Sequence, residues 1–420
     1  MRVTSRERLK AALNHQTPDR TPIDLGATAV SGMHALAVYR LRAALGLKEI
    51  PVRIWEVFQQ LGWVEEDLLK AIGGDVIGVT PYTDFFGNRI GAFKPYPNDW
   101  GFKTQISGEF TYKDMPDGSR VVYPQADSSA PPTAEILKGG YFYNNLHHGT
   151  ATCDEIRSGK DDFKDDFALL SDDAARHYEQ TAKAMYENTN YGLIGLLGPA
   201  GFGDAALIPG SYLKNPQGIR NLEDWMMVHY TNPDYVHEVF AYQTEMALKN
   251  LEIYKQAVGD RIEAIYMGGT DFGTQIGTMI SIDCFRDFYK PYWKIVNDWV
   301  HKNTGWKTFY HSCGAVRPFI EDFIEAGLDI LNPVQCSATG MDAKELKDAY
   351  GERIVFWGGG IDTQKTLPFG TPEEVKQMVK ERMEIFSKNG GYIFNPVHNV
   401  QANTPIENLV AMYKAAELYR

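Results

Sequence analysis

The sequence predicts an α/β fold, a single (β/α)8 TIM barrel over residues 1–420 with one inserted region near the barrel mouth. From about residue 260 onward, five short apolar runs alternate with helical patterns. This alternation is typical of parallel strands joined by helices. Three further strand-like runs lie upstream, which gives the eight that close a barrel. No Gly-x-Gly-x-x-Gly loop follows the first run, and this disfavours a doubly wound sheet.

The predicted strands are apolar runs of four to six residues. In chain order they are Thr21–Leu25, Val76–Val79, Gly192–Leu197, Ile262–Met267, Trp306–Tyr310, Asp329–Val334, Arg353–Trp357 and Gly391–Phe394. The helical patterns of the second half are Cys284–His301, Val316–Ala326, Ala343–Tyr350, Pro372–Phe386 and Pro405–Leu418. Two of them open with Thr-Pro-x-Glu, at 371–374 and 404–407, which predicts Thr as N-cap, Pro at the first helical position and Glu at the third.

Residues 85–165 do not follow the alternation of strand and helix patterns, so the sequence predicts an insertion within the barrel domain. Asp117-Gly118 separates FTYKD from SRVVYP, and Asp-Gly in such a setting predicts a β-hairpin. Aromatic residues at 141–143 and the pair His147-His148 follow. Two interpretations stay open: the insertion covers part of the barrel mouth, or it decorates the solvent-facing surface.

Composition excludes several classes of protein. A net charge of -12 argues against broad binding to nucleic acid or to an anionic membrane. No apolar run is long enough to span a bilayer, and the opening MRVTSRERLKAALNHQ has the pattern of a polar helix rather than of a signal peptide. Four cysteines are too few for a disulfide framework, so we expect a cytoplasmic enzyme with reduced thiols. A homodimer is left open.

Polar residues follow the predicted strands at their carboxyl ends, where barrels of this type carry their chemistry. His311 and Cys313 alternate at one strand end and therefore project to the same side. An imidazole and a thiol so placed can bind zinc. Other strand ends contribute Asp271, Asn332, Gln335, Cys336, Asp362, His398, Asn399 and Gln401.

Each of these residues has a structural alternative when it is taken alone. His311 and Cys313 could be a buried pair, Asp271 and Asp362 could cap turns, and His398 could bond a neighbouring loop. Packing suffices to explain Cys336, Cys284 and Cys153. The convergence of polar groups at five adjacent strand ends favours a functional site over five independent structural explanations.

Several motifs resemble the uroporphyrinogen decarboxylase superfamily. They are GGTDFGTQ at 268–275, HSCGAV at 311–316, FWGGGIDTQ at 356–364 and NPVHNVQANTPIENL at 395–409, after an opening SRERLKAALNHQTPDRTPIDL. The resemblance implies the barrel fold. The decarboxylase branch has arginines after its first strand that hold the porphyrin carboxylates, whereas residues 26–33 here read GATAVSGM. This difference disfavours a porphyrinogen substrate.

The sequence looks closer to the corrinoid-dependent methyltransferases of the superfamily, which bind zinc through His-x-Cys and a Cys after the last strand. That likeness implies His311 and Cys313 as ligands and places His398 at the third position. Cys336 is a softer ligand, so the residues alone leave the third ligand open. The implied reaction moves a methyl group between a small molecule, by first choice a methoxylated aromatic, and the cobalt of a corrinoid (cobalamin) on a separate protein.

Roles for the remaining strand-end residues follow from the same hypothesis. Asp271 and Gln335 are predicted to be catalytic residues that orient the substrate. Predicted substrate-binding residues are Asn332, Asp362, Asn399 and Gln401. Two other functions stay open: a decarboxylase of a small anionic substrate or porphyrinogen, and a binding barrel without catalysis.

Overall fold

A computed structural model describes residues 3–146, 151, 155 and 157–420. His147, His148 and Cys153 lie outside the described residues, so the interpretations offered for them stay predictions. No helix within the described ranges is long and apolar enough to cross a membrane.

The strands, in chain order, are β1 Val52–Glu56, β2 Leu61–Gly62, β3 Val76–Val79, β4 Lys94–Tyr96, β5 Thr104–Ile106, β6 Tyr112–Asp114, β7 Arg120–Val122, β8 Ala134–Ile136, β9 Asn144–Asn145, β10 Gly192–Leu196, β11 Ala264–Gly269, β12 Lys307–His311, β13 Ile330–Asn332, β14 Val355–Trp357 and β15 Tyr392–Ile393. The helices are α1 Ser5–Leu13, α2 Ala35–Ala44, α3 Glu66–Ala71, α4 Gly159–Phe163, α5 Asp172–Asn188, α6 Leu222–Thr231, α7 Pro233–Val258, α8 Ile282–Cys284, α9 Lys290–Asn303, α10 Ile320–Glu325, α11 Ala343–Tyr350, α12 Thr366–Phe369, α13 Pro372–Phe386 and α14 Ile406–Tyr419.

Seven strands form one curled, all-parallel sheet in the order β15-β14-β13-β12-β11-β10-β3. Consecutive strands from β10 to β15 are neighbours, and helices fill the connections between them, as expected for parallel β/α units. The predicted barrel-type α/β fold is confirmed. Seven of the eight predicted strands are present, each shifted by at most two residues at either end.

The eighth predicted strand, Thr21–Leu25, is wrong as a regular strand, although its chain segment does join the two sheet edges. Ile23 forms a single parallel bridge with Phe394. The Asp24 amide donates to Phe394 O at 2.9 Å, and on the other side the Asp75 amide donates to Ile23 O at 2.8 Å. Pro22 lacks an N–H, and Gly26 turns the chain at φ 79°, so a longer ladder does not form.

A separate apolar cluster fills the interior of the barrel, and α1 closes its amino-terminal end. The cluster contains Leu9, Ala12, Leu13, Ala27, Val76, Ile194, Ala264, Phe309, Ile330, Val355, Trp357 and Ile393. Three of these residues belong to α1. Gly192 allows this close approach, because a Cβ there would lie 2.4 Å from a methyl group of Leu9. The interior is therefore packed at its base, as is typical of barrels whose chemistry lies at the carboxyl-end mouth.

Three helix predictions need correction. The pattern Val316–Ala326 opens with a 3-10 turn at Arg317–Phe319, and α10 begins at Ile320. The pattern Cys284–His301 is interrupted, because residues Phe285–Tyr289 form a π-helical turn before α9 begins. The N-cap predicted at Thr404 is wrong: Pro405 occupies the cap position with an extended ψ of 135°, and α14 starts at Ile406 without a side-chain cap. The capping box at Thr371 and Glu374 is confirmed.

The inserted region contributes strands to two small sheets, one antiparallel and one mixed, in which β1 pairs with β5 in parallel. The predicted hairpin is confirmed, since β6 pairs with β7 in the register Asp114↔Arg120 and the sheet continues through β8 and β9. A second sheet has the order β2-β1-β5-β4. Strands β1 and β2 of this sheet precede residue 85. They join it because Val52 and Arg53 pair with the segment at 104–105. The treatment of the whole chain as one domain stays a prediction.

Candidate metal centre

The carboxyl end of β12 presents an imidazole and a thiol side by side. His311 ends the strand, and Cys313 follows two residues later. The His311 Nε2 atom and the Cys313 Sγ atom are 3.2 Å apart. His311 is almost fully buried, with 6% of its surface exposed. The pair therefore lies inside the barrel mouth and not on an outer surface.

His398 joins this pair from the loop that follows β15. Its ring centroid lies 5.3 Å from that of His311 at an interplanar angle of 70°. One ligand atom from each of His311, Cys313 and His398 can be chosen so that all lie within 4.8 Å of one another. Strands β13 and β14 separate β12 from β15 in the sheet, so the curl of the sheet brings the three side chains together.

Asn332, predicted to bind substrate, lies behind His311. Its Oδ1 is 2.6 Å from His311 Nδ1, and its Nδ2 donates to the Trp357 carbonyl at 2.9 Å. The second contact fixes the amide orientation, so Oδ1 accepts and His311 Nδ1 is the donor. The Nε2 atom of His311 is then the nitrogen with a free lone pair, and it faces Cys313. Such a partner is typical of metal-binding histidines.

Burial keeps two of the candidate ligands, His398 and Cys313, neutral in the absence of a cation. Burial, with a smaller contribution from His311, lowers the pKa of His398 to about 4, so its ring is uncharged at neutral pH. Burial raises the pKa of the Cys313 thiol well above its usual value, and the carboxylates of Asp271 and Asp204 raise it further. A cation that bound here would displace the thiol proton.

The donor set fits zinc. Two imidazole nitrogens and one thiol are ligands that zinc prefers, and three protein ligands are typical of catalytic zinc sites, which keep an open position. Cys336 does not join this group in the described part of the chain. It packs at the margin of the main core, and the charges that act on it come from Arg382 and Asp342 at the outer helices.

The two predicted catalytic residues contact the turn that carries Cys313. The Cys313 amide donates to Asp271 Oδ1 at 2.7 Å, and the same oxygen is 3.9 Å from His311 Nε2. Gln335 accepts from the Gly314 amide at 2.8 Å. The side chain of Asp271 is 46% exposed, whereas Gln335 is buried at 8%. Asp271 is thus open to a substrate, and Gln335 is engaged within the protein.

The other three predicted substrate-binding residues have local structural contacts. Asp362 accepts from the backbone amides at 364, 365 and 366 and so precedes α12 as a cap. Asn399 is 1% exposed. Its side-chain amide accepts a hydrogen bond from the Gly32 amide and donates to Ala29 O and Gln59 Oε1. Gln401 is exposed and donates to Asn399 O. Their binding roles stay predictions, and the contacts indicate that Asp362 and Asn399 shape loops at the mouth.

Two residues near the centre were missed by sequence reasoning. Asp204 follows β10, and burial together with the charge of Asp271 raises its pKa to about 7. Tyr266 lies on β11. A Cβ atom placed on Gly269 would lie 3.3 Å from Tyr266 Oη and 3.5 Å from His311 Cβ, so both residues border Gly269. The strand-end rule applied to Gly192–Leu197 would have found Asp204. Tyr266 sits within an apolar run, so no local signal marked it.

Comparisons with known proteins show the family and the fold of the chain. The family model for uroporphyrinogen decarboxylase (URO-D) matches residues 200–419, a little over half of the chain. A uroporphyrinogen decarboxylase from Carboxydothermus hydrogenoformans is 24% identical over 209 residues, which is 50% of this chain and 55%, or about half, of the length of that protein. A methyltransferase from Methanosarcina mazei has a similar fold, with a TM-score of 0.55, 17% identity and coverage of 100% of this chain and 99% of that one. From the extent of the family match, the chain belongs to the uroporphyrinogen decarboxylase family.

Proposed function

We propose that this chain is a zinc-dependent methyltransferase that moves a methyl group between a methylated small molecule and the cobalt of a corrinoid on a separate protein. The observation that carries the proposal is the convergence of His311, Cys313 and His398 within 4.8 Å at the barrel mouth. Membership of the uroporphyrinogen decarboxylase family and the fold shared with a methyltransferase support it.

The chain's own residues fit the binding of zinc and of a methyl donor. His311 would bind through Nε2, because its Nδ1 is committed to Asn332. His398 is already neutral at pH 7, so it needs to lose no proton. When bound, zinc supplies a Lewis acid for the oxygen that departs from the methyl group. Asp271 lies beside the ligands with almost half of its side chain exposed, and would contact the substrate.

The reaction also needs a proton for the departing oxygen. The carbon–oxygen bond breaks with both electrons left on oxygen, and the reduced acceptor provides the electron pair of the new bond to carbon. Asp204 has a pKa of about 7 and therefore holds a proton in part of the population near neutral pH. A group with such a pKa suits proton donation to the oxygen.

Aromatic side chains next to the His398 loop favour a methoxylated aromatic compound as donor. Asn399, the residue after His398, is bonded to Gln59 at 2.8 Å. Beside Gln59, the rings of Phe58 and Phe85 pack at a centroid distance of 4.6 Å. An aromatic wall of this kind stabilises a bound ring through edge or offset stacking.

A decarboxylase activity is the second candidate, favoured by the likeness to the Carboxydothermus protein. The segment 26–33, which follows the first barrel segment, has no arginine to pair with substrate carboxylates. Carbon dioxide release from a carboxylated substrate in the absence of any corrinoid would favour this candidate over methyl transfer.

The zinc site is tested by metal analysis of purified protein and of three alanine variants. We expect about one zinc per chain in the unaltered protein, because a catalytic site with three protein ligands holds a single ion. Cys313→Ala and His398→Ala should lose the metal because each removes a ligand. Cys336→Ala is the matched control and should keep it. Stoichiometric zinc in His398→Ala, or its loss in Cys336→Ala, would contradict the ligand set.

The reaction is tested with a methoxylated arene, with and without a reduced corrinoid acceptor, followed by the absorbance of the cobalt. We expect methyl transfer only when the acceptor is supplied, and none in Cys313→Ala or His398→Ala. Full turnover by the isolated chain with no corrinoid present would remove the proposal.

A further inference from the structure

The turn at residues 312–315 has every backbone amide bound to a different acceptor. Ser312 N donates to Asn332 O at 2.7 Å and Cys313 N to Asp271 Oδ1 at 2.7 Å. Gly314 N donates to Gln335 Oε1 at 2.8 Å and Ala315 N to Thr274 O at 2.9 Å. Four consecutive amides held by two chain segments, 271–274 and 332–335, leave the turn little freedom to rotate.

The turn is also pressed against the loop that follows β11. Gly314 has a φ of 88°, and a Cβ there would lie 2.3 Å from the Gly273 carbonyl carbon and oxygen. Gly273 is equally restricted, because its own Cβ would lie 2.5 Å from Ala315 N. Water cannot replace the bond from Gly314 to Gln335 in such a contact, and both residues are buried. Loss of that acceptor would leave a buried amide without a partner.

A second glutamine fixes the orientation of Gln335. Gln335 Nε2 donates to Gln275 Oε1 at 2.9 Å, and Gln275 Nε2 donates to the Ser337 carbonyl. The backbone carbonyl of Gln275 accepts from the backbone amide of Thr339 at 3.0 Å. Because each amide must present its oxygen to one neighbour and its nitrogen to the next, the chain has a single hydrogen-bonding direction.

We propose that Gln335, oriented by Gln275, is a positioning residue that holds the peptide of Gly314 and so places the Cys313 sulfur opposite the two imidazoles. This inference rests on the proposed zinc site and replaces the expectation that Gln335 orients the substrate. Rotation of the peptide between Cys313 and Gly314 would swing the sulfur away from His311 Nε2, to which it now lies at 3.2 Å. Gln335 acts on the centre through the backbone and not through a ligand atom.

Cobalt binding by the full chain provides the test, because the sulfur-to-cobalt charge-transfer absorption reports the geometry of the thiolate ligand. In Gln335→Met the side-chain volume is kept and the acceptor is lost. We expect its cobalt affinity, from competition with a chelator, to fall about 10–100-fold, the range for lost supporting contacts at metal sites. Its charge-transfer band at saturating cobalt should also change. Gln377→Met, at an exposed position of α13, is the matched control and should show neither effect.

Two further variants separate positioning from a general loss of structure. Gln335→Glu keeps an oxygen for the Gly314 amide and should restore most of the affinity and the unaltered band. Gln275→Ala leaves the Gly314 acceptor in place but frees its orientation, so its loss of affinity should be smaller than that of Gln335→Met. These two variants decide the matter if Gln335→Met fails to fold.

The outcomes are distinct from those of the proposed function. Unaltered affinity and spectrum in folded Gln335→Met would overturn the positioning role, and so would a Gln335→Glu variant as weak as Gln335→Met. A starting protein that binds neither zinc nor cobalt would overturn the proposed function and this inference together. Metal binding in the starting protein with no response to any Gln335 variant would overturn the inference alone.

Discussion

The two ends of the barrel both bury charged and polar side chains, but they use them differently. At the amino-terminal end, Asp75 is fully buried and accepts five hydrogen bonds: two from Arg20 and one each from Arg8, Ser5 and the Ile23 amide. At the mouth, the donor atoms of His311, Cys313 and His398 face one another. The first cluster is saturated by the protein, and the second presents lone pairs that a cation would bind.

The difference separates a polar cluster that the protein saturates from one that could bind a cation. A buried carboxylate stabilises a fold when its lone pairs are matched by donors, and Asp75 does so where the Ile23 segment meets β3. Burial is the main cause of the lowered pKa of His398 and of the raised pKa of Cys313, so both side chains are neutral without a cation. A cluster whose donor atoms the protein leaves available is therefore the stronger candidate for a binding site.

The largest effect is expected from Asp75→Ala. Arg8 is 4% exposed at its side chain and would lose one of its two carboxylate partners, and the closing segment would lose its anchor. Removal of one member of a buried ion pair costs about 3–5 kcal/mol, so the urea midpoint should fall strongly. Metal content at saturating zinc should stay unchanged under folding conditions. A loss of stability below about 1 kcal/mol would contradict the structural role given to this end.

An intermediate effect, on metal affinity, is expected from Asn332→Ala. The variant removes the acceptor of His311 Nδ1, which frees the ring to rotate and to change tautomer. Zinc affinity measured by chelator competition should fall about 10–100-fold. Asn408→Ala is a matched control, because Asn408 is equally buried and donates to two carbonyls near α12. If both variants lower zinc affinity to the same extent, the supporting role of Asn332 is wrong.

The smallest effect, on the pH dependence of stability, is expected from Glu263. This buried carboxylate lies at the amino-terminal end but, unlike Asp75, is not saturated by hydrogen bonds. Its Oε1 has no hydrogen-bond partner among the described residues, and Arg6 and Lys10 approach it only to 3.9 and 3.8 Å. Burial raises the pKa of Glu263 from an ordinary 4.5 to about 7. The folded chain therefore binds this proton more tightly than the unfolded chain. The resulting stabilisation is full below pH 4.5 and is lost as the pH rises through 7.

Glu263→Gln removes this titration. The fall in unfolding free energy between pH 5 and pH 8 should be smaller in the variant than in the starting protein by about 1–3 kcal/mol. Urea titrations of both proteins at the two pH values measure it. An equal fall in unfolding free energy in the two proteins would show that the Glu263 carboxylate is stabilised to the same degree as that of Asp75, and would contradict the raised pKa.

Much of the fold could be predicted because its signals are local. Seven of the eight barrel strands predicted from strand and helix patterns are present, and Asp117-Gly118 indicated the hairpin of β6 and β7. The failures arose where distant contacts decided the outcome. Ile23 forms its single bridge with Phe394, near the other end of the sequence, and β1 pairs with β5 across about fifty residues of chain. Neither pairing leaves a periodic pattern.

The sequence by itself determined that His311 and Cys313 lie side by side, because two residues of spacing at the end of a strand place both side chains on one side. Only the tertiary structure decided their companions. His398, 85 residues beyond Cys313, joins them because the sheet curls until the loop after β15 faces the end of β12. Cys336, only 23 residues beyond Cys313, lies near the outer helices, because the chain has left the inner face of the barrel after Gln335. Over a few residues, the spacing along the chain determines the direction in which side chains point. Over longer distances, the closure of the barrel determines which side chains meet.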